Sequence, residues 1–407
     1  MEIDTTPESV GLSSKRLALI RPWMQQFIDT GRLPGAATLV ARHGQVVFCE
    51  ARGLKNIETC TSLTMDTIHR FYSMTKPVTS VAAMMLYEKG LFQLDDPVSD
   101  FIPGFKDMKV YVSGSEKDPV TRPAKTAMTI RHLLTHTSGF TYGSFNTGTV
   151  AGLYRQNRTD FDYDDGPLEK IVNRLTDIPL EFDPGSAWNY GVSTDVLGRL
   201  IEIWSGRSLD RFLNEEIFKP LTMIDTGFFL PESKKERLAS LYELTDKELL
   251  SLSEDARTSP LIGTDSVQTF SGGSGLLSTM SDFYKFTEML RQKGQLSGER
   301  LLGRKTIEFM TCNHLPGDLA AMGQPTFNET TFEGIGFGLG FSVMLDPPKA
   351  NIMGSCGEYA WGGAASTAFW IDPLEDITVI FLTQLMPSSA YTIRRELRVL
   401  TYQAIID

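Results

Sequence analysis

The chain is poor in cysteine and histidine, with four of the first and five of the second among 407 residues. Cys49, Cys60, Cys312 and Cys356 stand far apart with no C-x-x-C pair, which excludes a cysteine-rich zinc site and a disulfide-stapled scaffold. Reduced structural thiols are expected, and no metal. Long apolar runs are missing too. The most apolar stretch, Val78 to Tyr87, is about half of the roughly 20 residues that cross a bilayer, and Thr79 and Ser80 interrupt it. No membrane span is expected. The opening Met1-Glu2-Ile3-Asp4 is acidic where a secretory leader needs a basic start, and no apolar segment follows before Ser9, so the expected location is cytoplasmic. Basic charge is in the minority, with 39 Lys and Arg against 50 Asp and Glu for a net charge of -11. That balance opposes the counterion release that drives nucleic-acid binding, and no dense cationic stripe offsets it. Several chemical signatures are also absent: the G-x-S-x-G elbow, H-E-x-x-H and the P-loop.

What is present is an ordinary globular composition, 41% hydrophobic and 22% charged, at a length that suggests two to three domains. A helical pattern spans about Leu17 to Ile28. Ala36 to Arg42 and Val46 to Ala51, joined by His43-Gly44-Gln45, read as a β-hairpin. Val78, Val81, Ala82, Met85 and Leu86 then recur at helical spacing until Gly90 stops them. From Phe101 to about Phe270 the chain reads as helix and loop. Gly336 to Leu345, Ala364 to Ile371 and Ile377 to Gln384 read as strands, the last two joined by the turn Asp372 to Asp376. An amphipathic helix over Ala390 to Ile406 closes the chain. Strands at both ends with helices between them point to an α+β fold: an antiparallel sheet built from N- and C-terminal segments, flanked by helices, with an inserted mainly helical domain. The expected division is 1–98 with 271–407 for the sheet domain and 99–270 for the insertion, with the functional site where they meet.

One S-x-x-K occurs, Ser73-Met74-Thr75-Lys76, followed by Pro77 and the apolar helical run. The serine therefore falls at the first turn of a helix, where Pro77 is tolerated because an early N–H lacks an intrahelical partner. Residues three apart share a helix face, so the Lys76 amine can reach the Ser73 hydroxyl. Free N–H groups at the helix start can stabilise an alkoxide or a tetrahedral oxyanion. The same residues can equally be an N-cap serine and a solvated lysine. A lysine is protonated at neutral pH and makes a poor base unless its surroundings change that, so a third group is needed. Tyr190, in the loop Pro184 to Gly191 before a helix expected over Thr194 to Trp204 with Ser193 as its cap, is the candidate: a nearby ammonium favours the ionised phenol, which can then act as general base. Its alternative is an ordinary half-buried aromatic.

These residues carry a resemblance. Ser73-Met74-Thr75-Lys76, the block Ile130 to Gly139, Tyr190 in its Pro-Gly loop, Gly272-Gly273-Ser274-Gly275-Leu276 and Trp361-Gly362-Gly363 occur in one order. Together they resemble the class C β-lactamase-like serine hydrolases, and most closely the family VIII carboxylesterases, from about Gly35 to Gln384. The resemblance implies Ser73 as the acylated nucleophile, Lys76 as its proton partner and Tyr190 as the base for both half-reactions. It also implies an oxyanion hole from the backbone N–H groups of Ser73 and Ala364, a substrate wall at Trp361, Gly362 and Gly363, and no cofactor. The substrate would be a small-molecule carboxylic ester, handled by a serine carboxylesterase. Acyl transfer or weak β-lactam cleavage on the same residues is the alternative, and a non-catalytic scaffold of this fold is another.

Two departures matter. Trp361 stands where related β-lactamases usually carry the lysine of Lys-Thr-Gly, and Val192 stands where they carry an asparagine two residues after the tyrosine. Losing the cation and the amide removes partners for a β-lactam's carboxylate and acylamino groups, so uncharged esters should fit better. Among other polar residues, His132 and His136 lack a third ligand and are expected to be structural. The acids from Asp160 to Asp165 lack calcium-loop spacing and are expected to form a solvated loop. Phe140, Tyr142 and Trp188 can line the pocket or belong to the core.

Overall fold

The computed structural model describes residues 2–246, 249–263, 267–327 and 330–407. Its frame is an antiparallel sheet of eight strands: β1 (Gly35–Arg42), β2 (Gln45–Asn56), β3 (Thr61–Ser62), β4 (Ile335–Phe337), β5 (Ser342–Met344), β6 (Tyr359–Gly362), β7 (Ala368–Asp372) and β8 (Ile377–Leu382). Their spatial order is β4-β5-β6-β7-β8-β1-β2-β3. The C-terminal strands are thus zipped onto the N-terminal hairpin, with Leu39 opposite Ile380 and Leu39 opposite Cys49 in register. This is the expected α+β architecture.

Strand β1 reads as a nearly unbroken apolar run because it is central and buried along its whole length. Period-two alternation sorts its neighbours. Ile380 and Leu382 of β8 and Phe369 and Ile371 of β7 face the large inner core, while Val379, Phe381 and Trp370 face outward. Two amphipathic helices cover that outer face: α1 (Ile20–Asp29) through Ile20, Met24 and Phe27, and the C-terminal α5 (Ile393–Tyr402) through Ile393 and Leu397. On the inner face lies α2 (Thr75–Glu88), buried from Thr75 to Leu86 on every side. A helix surrounded in this way is a core element rather than an amphipathic surface one. Each fully buried Val, Leu or Met there stabilises the fold by roughly 1.5–3 kcal/mol, and a charge at Val81 is the change that would break it. Two further helices flank it, α3 (Ser193–Ser205) and α4 (Met280–Arg291). Among the described residues no helix is long and apolar enough to cross a membrane.

The structure corrects several local expectations. Residues 364–367 are a turn between β6 and β7, not the start of a strand, and the strand before it ends at Gly362. The region from Phe101 to Phe270 holds a hairpin, Lys109–Ser115 with Asp118–Pro123, besides its helices. That hairpin is largely solvated on both faces, so no apolar alternation marks it. Helix α3 begins at Ser193 with Val192 as its cap residue, and the Ser193 hydroxyl instead pairs with that of Ser138 at 2.8 Å. The last helix is shorter than its amphipathic pattern because Ile405 bridges to Leu12.

Candidate active site

Ser73 lies in a tight turn, Tyr72–Met74, that runs straight into α2. Tyr72 adopts φ of 45°, a left-handed conformation that costs a bulky residue roughly 1–2 kcal/mol. The kink delivers the Ser73 side chain to a cavity of about 690 Å³. Lys76, 1% exposed, extends along the same helix face and donates to Ser73 Oγ at 3.2 Å, to Tyr142 Oη at 2.9 Å and to the Gly273 carbonyl at 2.9 Å. Three donors is the full capacity of an ammonium. Among the described residues no carboxylate forms an ion pair with it.

Tyr190 approaches from the opposite side: its ring centroid is 4.6 Å from Lys76 Nζ. A ladder of hydrogen bonds onto the Ile130 to Thr141 segment fixes its loop. Gly185 N–H donates to the Thr137 carbonyl at 2.7 Å, Asn189 N–H to that of His136 at 3.0 Å, and the Asn189 side chain to that of Phe140 at 2.9 Å. Behind the phenol, Trp188 stacks at 6.1 Å and 13°, and the His136 ring lies 5.0 Å away. The block Ile130 to Gly139, with its two histidines, is therefore the cradle of this loop. His132 accepts the Thr129 N–H in a capping box, and His136 lies beyond the helix Ile130–Leu134 with φ of 56°.

Gly363 closes the third side. A Cβ there would overlap the Phe71 carbonyl oxygen and the Thr367 hydroxyl, so only glycine lets β6 pass this close to the Ser73 turn. The turn that follows is pinned by Gly363 N–H to the Thr367 carbonyl at 3.0 Å and by the Ser366 hydroxyl to the Leu385 carbonyl at 2.7 Å. Ser73, Tyr190, Trp361, Gly362, Gly363 and Ala364 all line the one cavity, and Lys76 reaches it through Ser73. Trp361 packs 5.5 Å from Tyr190 and 5.3 Å from Phe337, forming an apolar wall. Phe332 and the 63% exposed Phe145 extend that wall to the mouth. The loop bearing Phe145 is tied down by Asp160, whose carboxylate accepts the Gly143 and Ser144 N–H groups at 2.7 Å each. The acidic run is thus partly a structural clamp rather than a purely solvated loop.

The electrostatics keep His136 and Tyr142 neutral beside the lysine. Burial, with Lys76 adding to it, holds His136 well below the usual imidazole range. Burial and the nearby Asp195, Tyr190 and Asp160 hold Tyr142 well above the usual phenol range, so it meets Lys76 as a neutral acceptor. Phe140 and Trp188 are core, whereas Tyr142 touches the lysine directly. The sequence reading missed that contact, and also the Gly273 carbonyl and Asp195. The available signals were Tyr142's position three residues beyond Gly139, the Gly272-Gly273 pair, and Asp195 at the first turn of α3.

The chain belongs to the beta-lactamase family, whose model matches residues 20–403. Within it the chain stands with the family VIII esterases. It is 30% identical to Esterase EstB of Burkholderia gladioli, covering 88% of this chain and 88% of that protein. It is 28% identical to the lovastatin esterase of Penicillium rubens, covering 86% and 88% respectively. Among solved structures it resembles EstCE1, titled a hydrolase with promiscuous acyltransferase activity, at a TM-score of 0.80 and 27% identity over 97% of this chain and 99% of that one. The protein is a serine hydrolase of the ester hydrolase or acyltransferase kind.

Proposed function

We propose that the protein is a serine carboxylesterase that cleaves small, fairly apolar esters through an acyl-enzyme on Ser73. Its Oγ attacks the ester carbonyl as its proton passes to Tyr190 Oη, with Lys76 holding the hydroxyl in place. The backbone N–H groups of Ser73 and Ala364 receive the oxyanion. The proton then moves to the departing alkoxide; in the second half Tyr190 takes a proton from the water that attacks the acyl carbon and passes it to Ser73 Oγ as the acyl–oxygen bond breaks and the acid leaves. The observation that carries this reading is that three groups from two distant stretches of chain meet at one cavity: Lys76 Nζ lies 3.2 Å from Ser73 Oγ and 4.6 Å from the Tyr190 ring centroid, with the lysine as the holding group and the phenol beside it as the base. On this reading 1–98 with 271–407 and 99–270 are two structural units with the site at their seam. The first supplies Ser73, Lys76 and Trp361 to Ala364, the second Tyr142 and Tyr190.

The wall favours uncharged substrates. Trp361 offers no cation to a carboxylate, and Val192 is fully buried and offers no amide. A second reading, transfer of the acyl group to a bulky alcohol, is favoured by the cavity's volume and its aromatic mouth at Phe145 and Phe332. The test compares p-nitrophenyl butyrate, nitrocefin, and an ester with a bulky alcohol acceptor, using wild type and Ser73→Ala. Esterase action predicts nitrophenol release that falls at least about a thousandfold in Ser73→Ala, with little nitrocefin turnover. Transfer outrunning hydrolysis would move the assignment to acyltransferase. A folded wild type inert toward all three would leave a scaffold.

A further inference from the structure

Behind the Ser73 and Lys76 pair lies a carboxylate to which the proposed reaction gives no part. Asp195, at the first turn of α3, is 1% exposed, and among the described residues no cation forms an ion pair with it. Its Oδ1 accepts the Ser271 hydroxyl at 2.5 Å and the Gly273 N–H at 2.9 Å. Ser271 in turn accepts the Ser274 N–H at 3.0 Å, so the Ser271 to Gly275 loop is wound around this one carboxylate. A Cβ on Gly273 would collide with the Asp195 carboxylate, so the glycine is what allows the approach. The next peptide group, Gly273–Ser274, faces the catalytic pair: its carbonyl accepts from Lys76 Nζ at 2.9 Å, and its N–H is the Ser274 donor to Ser271. The Gly273–Ser274 peptide thus meets the amine at its C=O end and, through the Ser271 hydroxyl that donates to Asp195 Oδ1, the acid at its N–H end, polarised in the same sense by both.

We infer that Asp195 is a positioning residue for the Ser73 reaction: its charge, passed through the Ser271 hydroxyl and the Gly273–Ser274 peptide, holds the Lys76 ammonium in place, and catalysis is lost when that charge is neutralised. This inference rests on the proposed Ser73 chemistry. The groups that face Asp195 are few: Lys76 from α2, Tyr142 and Asp160 from the segment before α3, and the neutral Ser271 and Ser274 hydroxyls. Burial pushes the Asp195 carboxyl up to about 6, against the pull of Lys76 and of its two hydrogen bonds. The carboxylate therefore exists above about pH 6 and is lost below it. A buried, unpaired carboxylate opposes folding, so a residue kept here for stability alone would not be an acid.

The experiment measures Ser73 labelling by a p-nitrophenyl phosphonate, and p-nitrophenyl butyrate turnover, from about pH 5 to about pH 9. It uses wild type, Asp195→Asn, Ser271→Ala and Ser73→Ala, with thermal midpoints at about pH 8. Wild type should bend downward near pH 6. Asp195→Asn, which keeps an accepting oxygen but no charge, should label Ser73 about tenfold or more slowly at about pH 8, show no bend near pH 6, and melt no lower than wild type. Ser271→Ala removes a donor from the carboxylate and should move the bend upward, which keeps the test open should the asparagine variant not fold. A wild type without the bend, an asparagine variant with the wild-type rate, a slowed one that retains the bend, one that is slowed and melts lower, or an unmoved bend in Ser271→Ala would each overturn the inference. If Ser73→Ala instead labels and turns over like wild type, it is the Ser73 reading that fails.

Discussion

The molecule buries two sets of charges on opposite faces of its sheet, and they are built differently. Under α5, Glu358 and Arg398 are paired directly, the Arg398 guanidinium lies 4.5 Å over Trp370, and the Tyr402 hydroxyl stands 2.7 Å from Glu358 and 2.8 Å from Asp372. Beside Ser73, Lys76 and Asp195 are each buried with no ion pair among the described residues, and the Gly273–Ser274 peptide and the Ser271 hydroxyl lie between them. The first arrangement sets Arg398 directly against Glu358, gives Asp372 the Tyr402 hydroxyl, and fastens the C-terminal helix to the sheet. The second leaves charge partly unanswered, which is unfavourable for folding and useful for moving protons. Substitutions should therefore separate the two sets, one by stability and the other by rate.

The widest separation is expected from Tyr190→Phe. Loss of one hydroxyl should lower kcat for p-nitrophenyl butyrate by at least about a hundredfold while the thermal midpoint stays near that of wild type. Near-normal turnover would remove Tyr190 from the mechanism. Arg398→Met should do the reverse. It strands Glu358, whose carboxyl burial already pushes above its usual range, and should cost about 3–5 kcal/mol in denaturant unfolding at neutral pH, with kcat of the folded fraction unchanged. That loss should shrink in mild acid as Glu358 takes up a proton, and a pH-independent loss would contradict the pairing. Asp195 has the sign of a group raised by burial: from about pH 4 to about pH 6 the folded state holds a proton the unfolded chain has released, so stability falls across that window. The fall is on the order of 3 kcal/mol, and urea titrations of Asp195→Asn should lack it. The smallest effect is expected from Tyr142→Phe. It leaves one Lys76 donor unmet and should slow turnover about tenfold without changing KM, as steady-state kinetics would report.

Much of this was legible in the sequence where local chemistry decides structure. The β1 and β2 hairpin, the stop of α2 before Gly90 and the turn after Asp372 follow from apolar patterning and turn residues within a few positions. Ser73, Lys76, Tyr190 and Trp361 to Ala364 could be named because they sit in ordered motifs, and the fold brings them to one cavity. Tyr142, the Gly273 carbonyl and Asp195 are harder to read, because each makes its contact across 66 to 197 residues and the local signal says nothing of the partner. The hairpin Lys109–Ser115 with Asp118–Pro123 escaped for the opposite reason: it is so solvated that burial leaves no period in it.

The claim beneath all of these is that the acyl group passes through residue 73. Intact-protein and peptide mass spectrometry, after rapid acid quenching of the wild type mixed with excess p-nitrophenyl ester, reads it most directly, since a good leaving group makes acylation fast and lets the intermediate accumulate. The account predicts one acyl mass added, mapping to the peptide that contains Ser73 and absent when Ser73→Ala is added to the same protein. An adduct on another side chain, or undiminished ester turnover in the Ser73→Ala protein, would contradict it.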